Sequence, residues 1–451
     1  MEKDQNRSSG RPRVLIVGST PNMYAFIAIL RPHAEFIAAT NWRNVPMTCA
    51  KSRWCDEFWP IAVPEPTEWD VSSGVPADGA TAGFVSYVLE LTADLRITHI
   101  IPASDQMIFW LSGHRAAFGD AGAILCCPDF AATSLVQDKV RLNEFAEQRG
   151  VPVPRRIPVG DDDAALVAVR EELGFPVVVK GLTSAGSSGV RYAEDAGQLS
   201  SAVQELRKNS PAVALHEYIP GTTEPSVTFL LDKKGVPVVE TWLRKVRYAD
   251  SGRSCCVISV SPPPIAPAVR EMARELGMMG WCAFQFKADS RSGELVLIEG
   301  NPRSGNNFKI LVEIWRSLGI DVGKLTLAAW NGLPLPRHVT PPGLVGASVL
   351  EEPTAFVVAL RGRLRGSSRP DNKPPGLPRF LLATLATYLR RPVVDVVTKS
   401  LLRDPLFFAA AAKHLIRLRF PQPQFVPWGD ATLPLRRAKN WDLGVGVEGG
   451  E

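Results

Sequence analysis

Leu297-Ile298-Glu299-Gly300-Asn301-Pro302-Arg303 sets a carboxylate, an amide and a guanidinium close together directly after an apolar run. An apolar run ending in polar residues reads as a strand. Side chains two apart on a strand point to one face, so Glu299 and Asn301 share it. The preceding Ala283-Phe284-Gln285-Phe286-Lys287 reads as the other arm of a hairpin turning near Ser290–Gly293, which lets Gln285 join them. Oxygen ligands of this kind suit Mg²⁺, which keeps several waters and shares substrate phosphates. Arg303 follows as a fixed planar cation for a transferred phosphoryl group.

Upstream, Phe175-Pro176-Val177-Val178-Val179-Lys180 reads as a strand with a lysine at its end. Gly181 to Gly189 is a Gly/Ser loop able to offer backbone N–H groups and the hydroxyls of Ser184, Ser187 and Ser188 to phosphate oxygens. It is no Walker P-loop, for it lacks the Gly-Lys-Ser/Thr ending. Residues 131–149, 161–173 and 196–208 read as helices, and 212–217 as a strand. Residues 226–260 read as antiparallel strands with a turn at Asp232-Lys233-Lys234-Gly235. Helices follow at 267–278, 308–318 and 322–331, and Pro334 and Pro336 mark a linker.

Toward the N-terminus, Val14-Leu15-Ile16-Val17 reads as a fully buried strand, with a helix at 23–30 and strands near 35–39, 98–102 and 122–127. Such alternation implies a parallel α/β sheet. The turn at Gly18 lacks a full G-x-G-x-x-G, so a dinucleotide fingerprint is not indicated.

The 451 residues are 45% hydrophobic, 22% charged and 8% aromatic, which excludes a mainly disordered chain, a collagen-like fibre and a disulfide-dense mini-domain. Net charge is +5, too small to suggest nucleic-acid binding. It is uneven: residues 361–451 carry 16 Lys+Arg against 7 Asp+Glu, leaving a near-neutral body and a basic tail. The tail reads as apolar helices at 380–390, 393–402 and 406–420, too short to span a bilayer. They suit either packing on the body or a second subunit, or peripheral contact with an anionic membrane. Seven cysteines without C-x-x-C spacing, and residues 1–12 without an apolar h-region, fit a reducing cytoplasm.

Six segments together resemble the ATP-grasp superfamily, in particular its carbamoyl-phosphate-synthase-like branch. They are Gln137-Asp138-Lys139, Val179-Lys180 with its loop, His216-Glu217-Tyr218-Ile219-Pro220-Gly221, Glu224-Pro225-Ser226-Val227, Gln285-Phe286, and Glu299-Gly300-Asn301-Pro302-Arg303. The resemblance implies an α/β ATP-grasp fold with an N-terminal parallel α/β domain and a helical C-terminal extension. The expected divisions are a tail 1–13, the N-terminal domain 14–128, the ATP-grasp domain 129–336 and the basic extension 337–451. It further implies ATP, with Mg²⁺ or Mn²⁺, as cofactors. Lys139 and Lys180 would meet the phosphates, under a lid formed by Ser184, Ser187, Ser188 and Gly189. Glu217, Tyr218 and Ile219 would receive adenine, partly through backbone, and Glu224 would meet the ribose hydroxyls or help organise the site. Gln285, Glu299 and Asn301 would hold metal, while Arg303 and Lys180 act in catalysis.

Gly300 departs from the family, which usually has a bulkier residue there; a packing effect is expected. His216 reads as packing. Arg244, Lys245 and Arg247 read as a solvated face or as a site for a substrate carboxylate. Asp105, after a strand of the N-terminal domain, could face the second substrate. The chemistry implied is phosphorylation of a small-molecule carboxylate by ATP and attack on the acyl-phosphate by an amine. The alternatives are phosphorylation of bicarbonate or carbamate and a non-catalytic nucleotide-binding module. A homodimer is the default assembly.

Overall fold

A computed structural model describes residues 10–18, 20–42, 48–67, 71, 74–158, 172–181, 189–208, 210, 213–248, 254–348 and 393–395. Three sheets organise them. The first is parallel, in the order Glu57–Ile61, Phe36–Trp42, Arg13–Val17, His99–Pro102, Ile124–Leu125. Val14 through Val17 are all fully buried, as a strand covered on both faces requires. Val14 and Ile16 enter one core, Leu15 and Val17 the other. The strand order reverses between Arg13–Val17 and His99–Pro102. A crevice opens at such a reversal, outside the carboxyl ends of the strands. Asp105 stands there, at the start of helix Asp105–Ser112.

The second sheet runs Leu295–Asn301, Gly280–Ala288, Pro225–Leu231, Pro237–Tyr248, Ser254–Val260, Val345–Ala347, Val393–Asp395, with His338–Val339 beside Pro237–Tyr248. The third is antiparallel: Arg156–Pro158, Val213–Glu217, Val177–Gly181, Val190–Ala193. Helix Ala196–Arg207 covers one of its faces, burying Leu199, Ala202, Val203 and Leu206 against Val177, Val179 and Leu215.

The first and second sheets share a core. Helix Thr20–Leu30 packs on helices Phe308–Ser317 and Val322–Asn331, with Phe26, Phe308, Trp281 and Trp315 in one cluster. The approach is close at Gly323, where a Cβ would lie 1.9 Å from the Ile29 carbonyl oxygen. This contact brings the crevice of the first sheet to the hairpin of the second.

Several expectations are corrected. The helix read over 131–149 is two helices, Phe130–Gln137 and Lys139–Glu147. Asp138 is extended and its carboxylate accepts from the Val140 and Arg141 amides, so it caps the second helix. Lys139 is thereby the first helical residue. The parallel sheet has a further edge strand, Glu57–Ile61, where Pro60 is tolerated. Beyond Pro336 the chain stays in the second sheet, so a boundary at 336 cuts that sheet. The helix read at 393–402 begins instead with the strand Val393–Asp395, whose β-branched pair joins the open edge of Val345–Ala347. The helices expected at 161–173, 380–390 and 406–420 lie wholly or mainly outside the described residues. Among the described residues, no helix is long and apolar enough to cross a membrane.

Gly300 has a structural cause. A Cβ there would lie 2.7 Å from Val136 Cγ2 and 2.9 Å from Leu142 Cδ2, because the two helices flanking Asp138 press directly on the hairpin. Gly300→Val should cost about 1–3 kcal/mol by overpacking, read as a lowered midpoint in thermal or urea unfolding.

Candidate functional site

The hairpin register fixes the first group of side chains. Gln285 pairs with Glu299 and Ala283 with Asn301, so Gln285, Glu299 and Asn301 lie on one face. Gly300, between the two ligand candidates, faces the core instead. Among the described residues Glu299 has no hydrogen-bond or ion-pair partner, and no group of three or more His, Cys, Asp and Glu could hold a metal. One carboxylate with two amide oxygens is a donor set of the hard-oxygen kind, suited to Mg²⁺ shared with phosphates.

Lys180 reaches this hairpin from the third sheet. Val177 and Val179 face the covering helix, so Val178 and Lys180 face the other way. Lys180 Nζ donates to the Ile298 carbonyl at 3.2 Å. Lys139 Nζ donates to the Gly181 carbonyl at 3.0 Å, crossing to the same strand. Burial lowers the pKa of both lysines. For Lys180 the neighbouring Lys139 adds to burial, Glu299 opposes it, and the value falls to about 8. For Lys139 the charges of Glu299, Asp105 and Asp138 oppose burial without cancelling it.

Arg303 completes the set. Its Nε and Nη2 donate to Asp105 Oδ2 at 2.8 and 2.6 Å, and Nη1 donates to the Ser304 carbonyl at 3.0 Å. Burial disfavours the charge, but Asp105, and then Glu299, outweigh burial and raise the pKa above the ordinary guanidinium value. Asp105 Oδ1 is buried with no hydrogen-bond partner among the described residues.

Two further residues enter that sequence reasoning left at the margin. Asp105 is one. Lys245 is the other: it is buried, with Nζ 3.0 Å from Glu224 Oε2 and 3.1 Å from Gln285 Oε1. A solvated face is thus excluded for it. Register could have found it: Leu243 pairs with Ser226 and Ser226 with Gln285, and Lys245 lies two residues on from Leu243.

The end of strand Val213–Glu217 and the residues after it carry the segment expected to meet the base. Glu217 is engaged by Arg155 Nε at 3.0 Å and Arg291 Nη2 at 2.8 Å. Burial works to raise its pKa, but these two arginines hold it below the usual carboxylate range. In the free protein its carboxylate is therefore held by two arginines. Tyr218 stands edge-on to Tyr192 with Lys287 Nζ 4.4 Å from its ring centroid, and Ile219 is buried. Gly189 is buried at the entry to Val190–Ala193. Ser184, Ser187 and Ser188 lie outside the described residues.

The model of the family described as carbamoyl-phosphate synthase L chain, ATP binding domain, matches residues 138–314. The C-terminal section of the carbamoyl phosphate synthase large chain from Methanopyrus kandleri is 26% identical over 222 residues, covering 46% of this chain and 40% of the relative. D-alanine–D-alanine ligase B from Chromobacterium violaceum is 28% identical over 201 residues, covering 40% of this chain and 62% of the relative. The chain thus spans about half the length of these curated relatives. Among solved structures, the biotin carboxylase domain of Hydrogenobacter thermophilus 2-oxoglutarate carboxylase, in complex with MgADP, ADP and bicarbonate, superposes with a TM-score of 0.58 at 18% identity, covering 74% of each chain. N5-carboxyaminoimidazole synthetase from Staphylococcus aureus gives a TM-score of 0.55 at 13% identity, covering 84% of this chain and 97% of the other.

Proposed function

Residues 138–314 belong to the ATP-grasp superfamily, and from that footing we propose that the chain is an ATP-dependent ligase that activates a carboxylate as an acyl-phosphate for attack by an amine. One observation carries the reading: three largely shielded cations, Lys139, Lys180 and Arg303, feel the charge of Glu299, a carboxylate with no hydrogen bond or ion pair among the described residues. A metal-bridged polyphosphate is the ligand that answers both charges at once.

The nucleotide's phosphates replace the carbonyls now bound by Lys139 and Lys180. Glu299, Asn301 and Gln285 would hold Mg²⁺, which when bound neutralises charge on the phosphate oxygens. Glu224, paired with Lys245, would receive the ribose hydroxyls. The backbone of Glu217 to Ile219 would receive the base, and the hydroxyls of Ser184, Ser187 and Ser188 with the Gly189 amide are the groups that would meet the phosphates.

The chemistry then runs in two displacements. A carboxylate oxygen attacks the γ-phosphorus, the bond to the β-phosphate oxygen breaks, and ADP leaves. The amine attacks the acyl carbon, the acyl–oxygen bond breaks, and phosphate leaves with the amine losing a proton. Arg303 is held by Asp105, so it would stabilise developing charge without reorganising. The N-terminal domain contributes Asp105 at its crevice, which is where a second substrate would enter.

The relatives support this reading in kind. A D-alanine–D-alanine ligase joins a carboxylate to an amine, and the biotin carboxylase structure holds MgADP and bicarbonate. The test is ADP release with Mg-ATP over a panel of amino acids, hydroxy acids, dicarboxylates and bicarbonate, with and without ammonia or amines. Release that needs one carboxylate and one amine, and is lost in Glu299→Ala, is expected. Release driven by bicarbonate alone would establish the bicarbonate-phosphorylating alternative. Nucleotide binding with no release on any member would favour the non-catalytic module.

A further inference from the structure

His216 is 1% exposed, and neither ring nitrogen has a hydrogen-bond partner among the described residues. A buried polar side chain with both positions unsatisfied is rare in a folded protein and calls for a cause. Packing is a poor one, since an aliphatic residue would fill the place without two orphaned nitrogens.

Register gives the direction of the ring. His216 pairs with Val178, and Lys180 pairs with Ala214. Residues directly opposite one another share a face, so Val178, Lys180, Ala214 and His216 all point away from helix Ala196–Arg207. That is the face from which Lys180 reaches the hairpin. Along the strand, His216 lies two residues past Ala214, toward Tyr218 and Ile219. It therefore stands between the phosphate lysines and the segment assigned to the base. Burial, then the charges of Lys180, Lys139 and Arg156, keep the ring uncharged, with its pKa well below the ordinary value.

We propose that His216 is a direct contact for the adenine base of the bound nucleotide, supplying a ring nitrogen that the free protein leaves unpaired. A neutral imidazole offers one N–H donor and one lone-pair acceptor, and adenine's edges carry both complements. Phosphate is a poorer fit, because its oxygens need donors only and two lysines already serve them. The Glu217 side chain is tied to Arg155 and Arg291, and its neighbour's ring meets the base.

The proposal rests on the nucleotide-site reading, and the experiment separates the two. Wild type, His216→Leu and His216→Gln are titrated with MgADP by calorimetry, and their melting temperatures are measured without nucleotide. His216→Leu should weaken MgADP by about tenfold, since a hydrogen bond to the base is lost. Its nucleotide-free melting temperature should equal or exceed that of wild type, because the orphaned nitrogens are gone. His216→Gln keeps a donor and an acceptor and should recover most of the affinity. MgADP binding by His216→Leu within about twofold of wild type, a lower melting temperature for that variant, or no recovery in His216→Gln would overturn the role for His216 and leave the nucleotide site standing. Failure of the wild type itself to bind MgADP would overturn both.

Discussion

Arg303→Met should lower carboxylate-dependent ADP release by about a thousandfold or more, the order seen when a transition-state arginine is lost in phosphoryl transfer. Methionine keeps the apolar stem and removes the planar cation. The guanidinium and the Asp105 carboxylate are nearly shielded, with 13% and 10% of their side chains exposed. Removing the arginine alone therefore also leaves a buried carboxylate unpaired, a loss of about 3–5 kcal/mol. Arg303→Met paired with Asp105→Asn should return most of that stability and none of the activity. Steady-state ADP release and urea unfolding, measured on the single and double variants, separate the two effects. Full activity in either variant would remove Arg303 from the chemistry.

Lys180→Met should weaken MgADP by about a hundredfold, because a buried cation meets phosphate oxygens in a medium that screens them little. The same lysine predicts a pH dependence. In the free protein its pKa is near 8, against an ordinary 10.5. Bound phosphates favour the charged form and raise it, so the complex holds more protons than the free protein above pH 8. MgADP affinity should therefore fall as pH rises from about 8 toward 10. Binding near pH 9 should take up protons, read by calorimetry in buffers of different ionisation enthalpy. The Lys180→Met variant should lose this dependence. For folding alone the sign reverses: the unfolded lysine binds the extra proton in this window, so the cost of burying charged Lys180 is relieved as pH rises from about 8 to 10.5.

Much of this was legible where the chain writes its geometry locally. A two-residue strand period is enough to set Glu299 and Asn301 on one face, and the turn near Ser290–Gly293 is enough to bring Gln285 opposite Glu299. The buried run Val14–Val17 announces a parallel strand in the same way. Illegible were matters decided by long-range register or by one capping residue. Asp138 breaks a helical pattern because its carboxylate prefers two free amides to a place in the helix interior. Lys245 reads as surface until its register with Ser226 and Gln285 is known. The Asp105–Arg303 pair joins residues 198 positions apart, which no local pattern encodes. His216 and Glu217 are adjacent, and only the pairing of their strand with Val177–Gly181 says which faces the lysines.

The central claim is that the site moves phosphate from ATP onto a carboxylate. The most direct measurement uses the carboxylate that supports ADP release, labelled with ¹⁸O in its carboxyl group, followed by mass analysis of the inorganic phosphate. Transfer of a carboxyl oxygen through an acyl-phosphate predicts one ¹⁸O in the phosphate formed at each turnover, and its loss together with ADP release in Glu299→Ala. Phosphate free of label, while ADP release and product formation continue, would contradict the account.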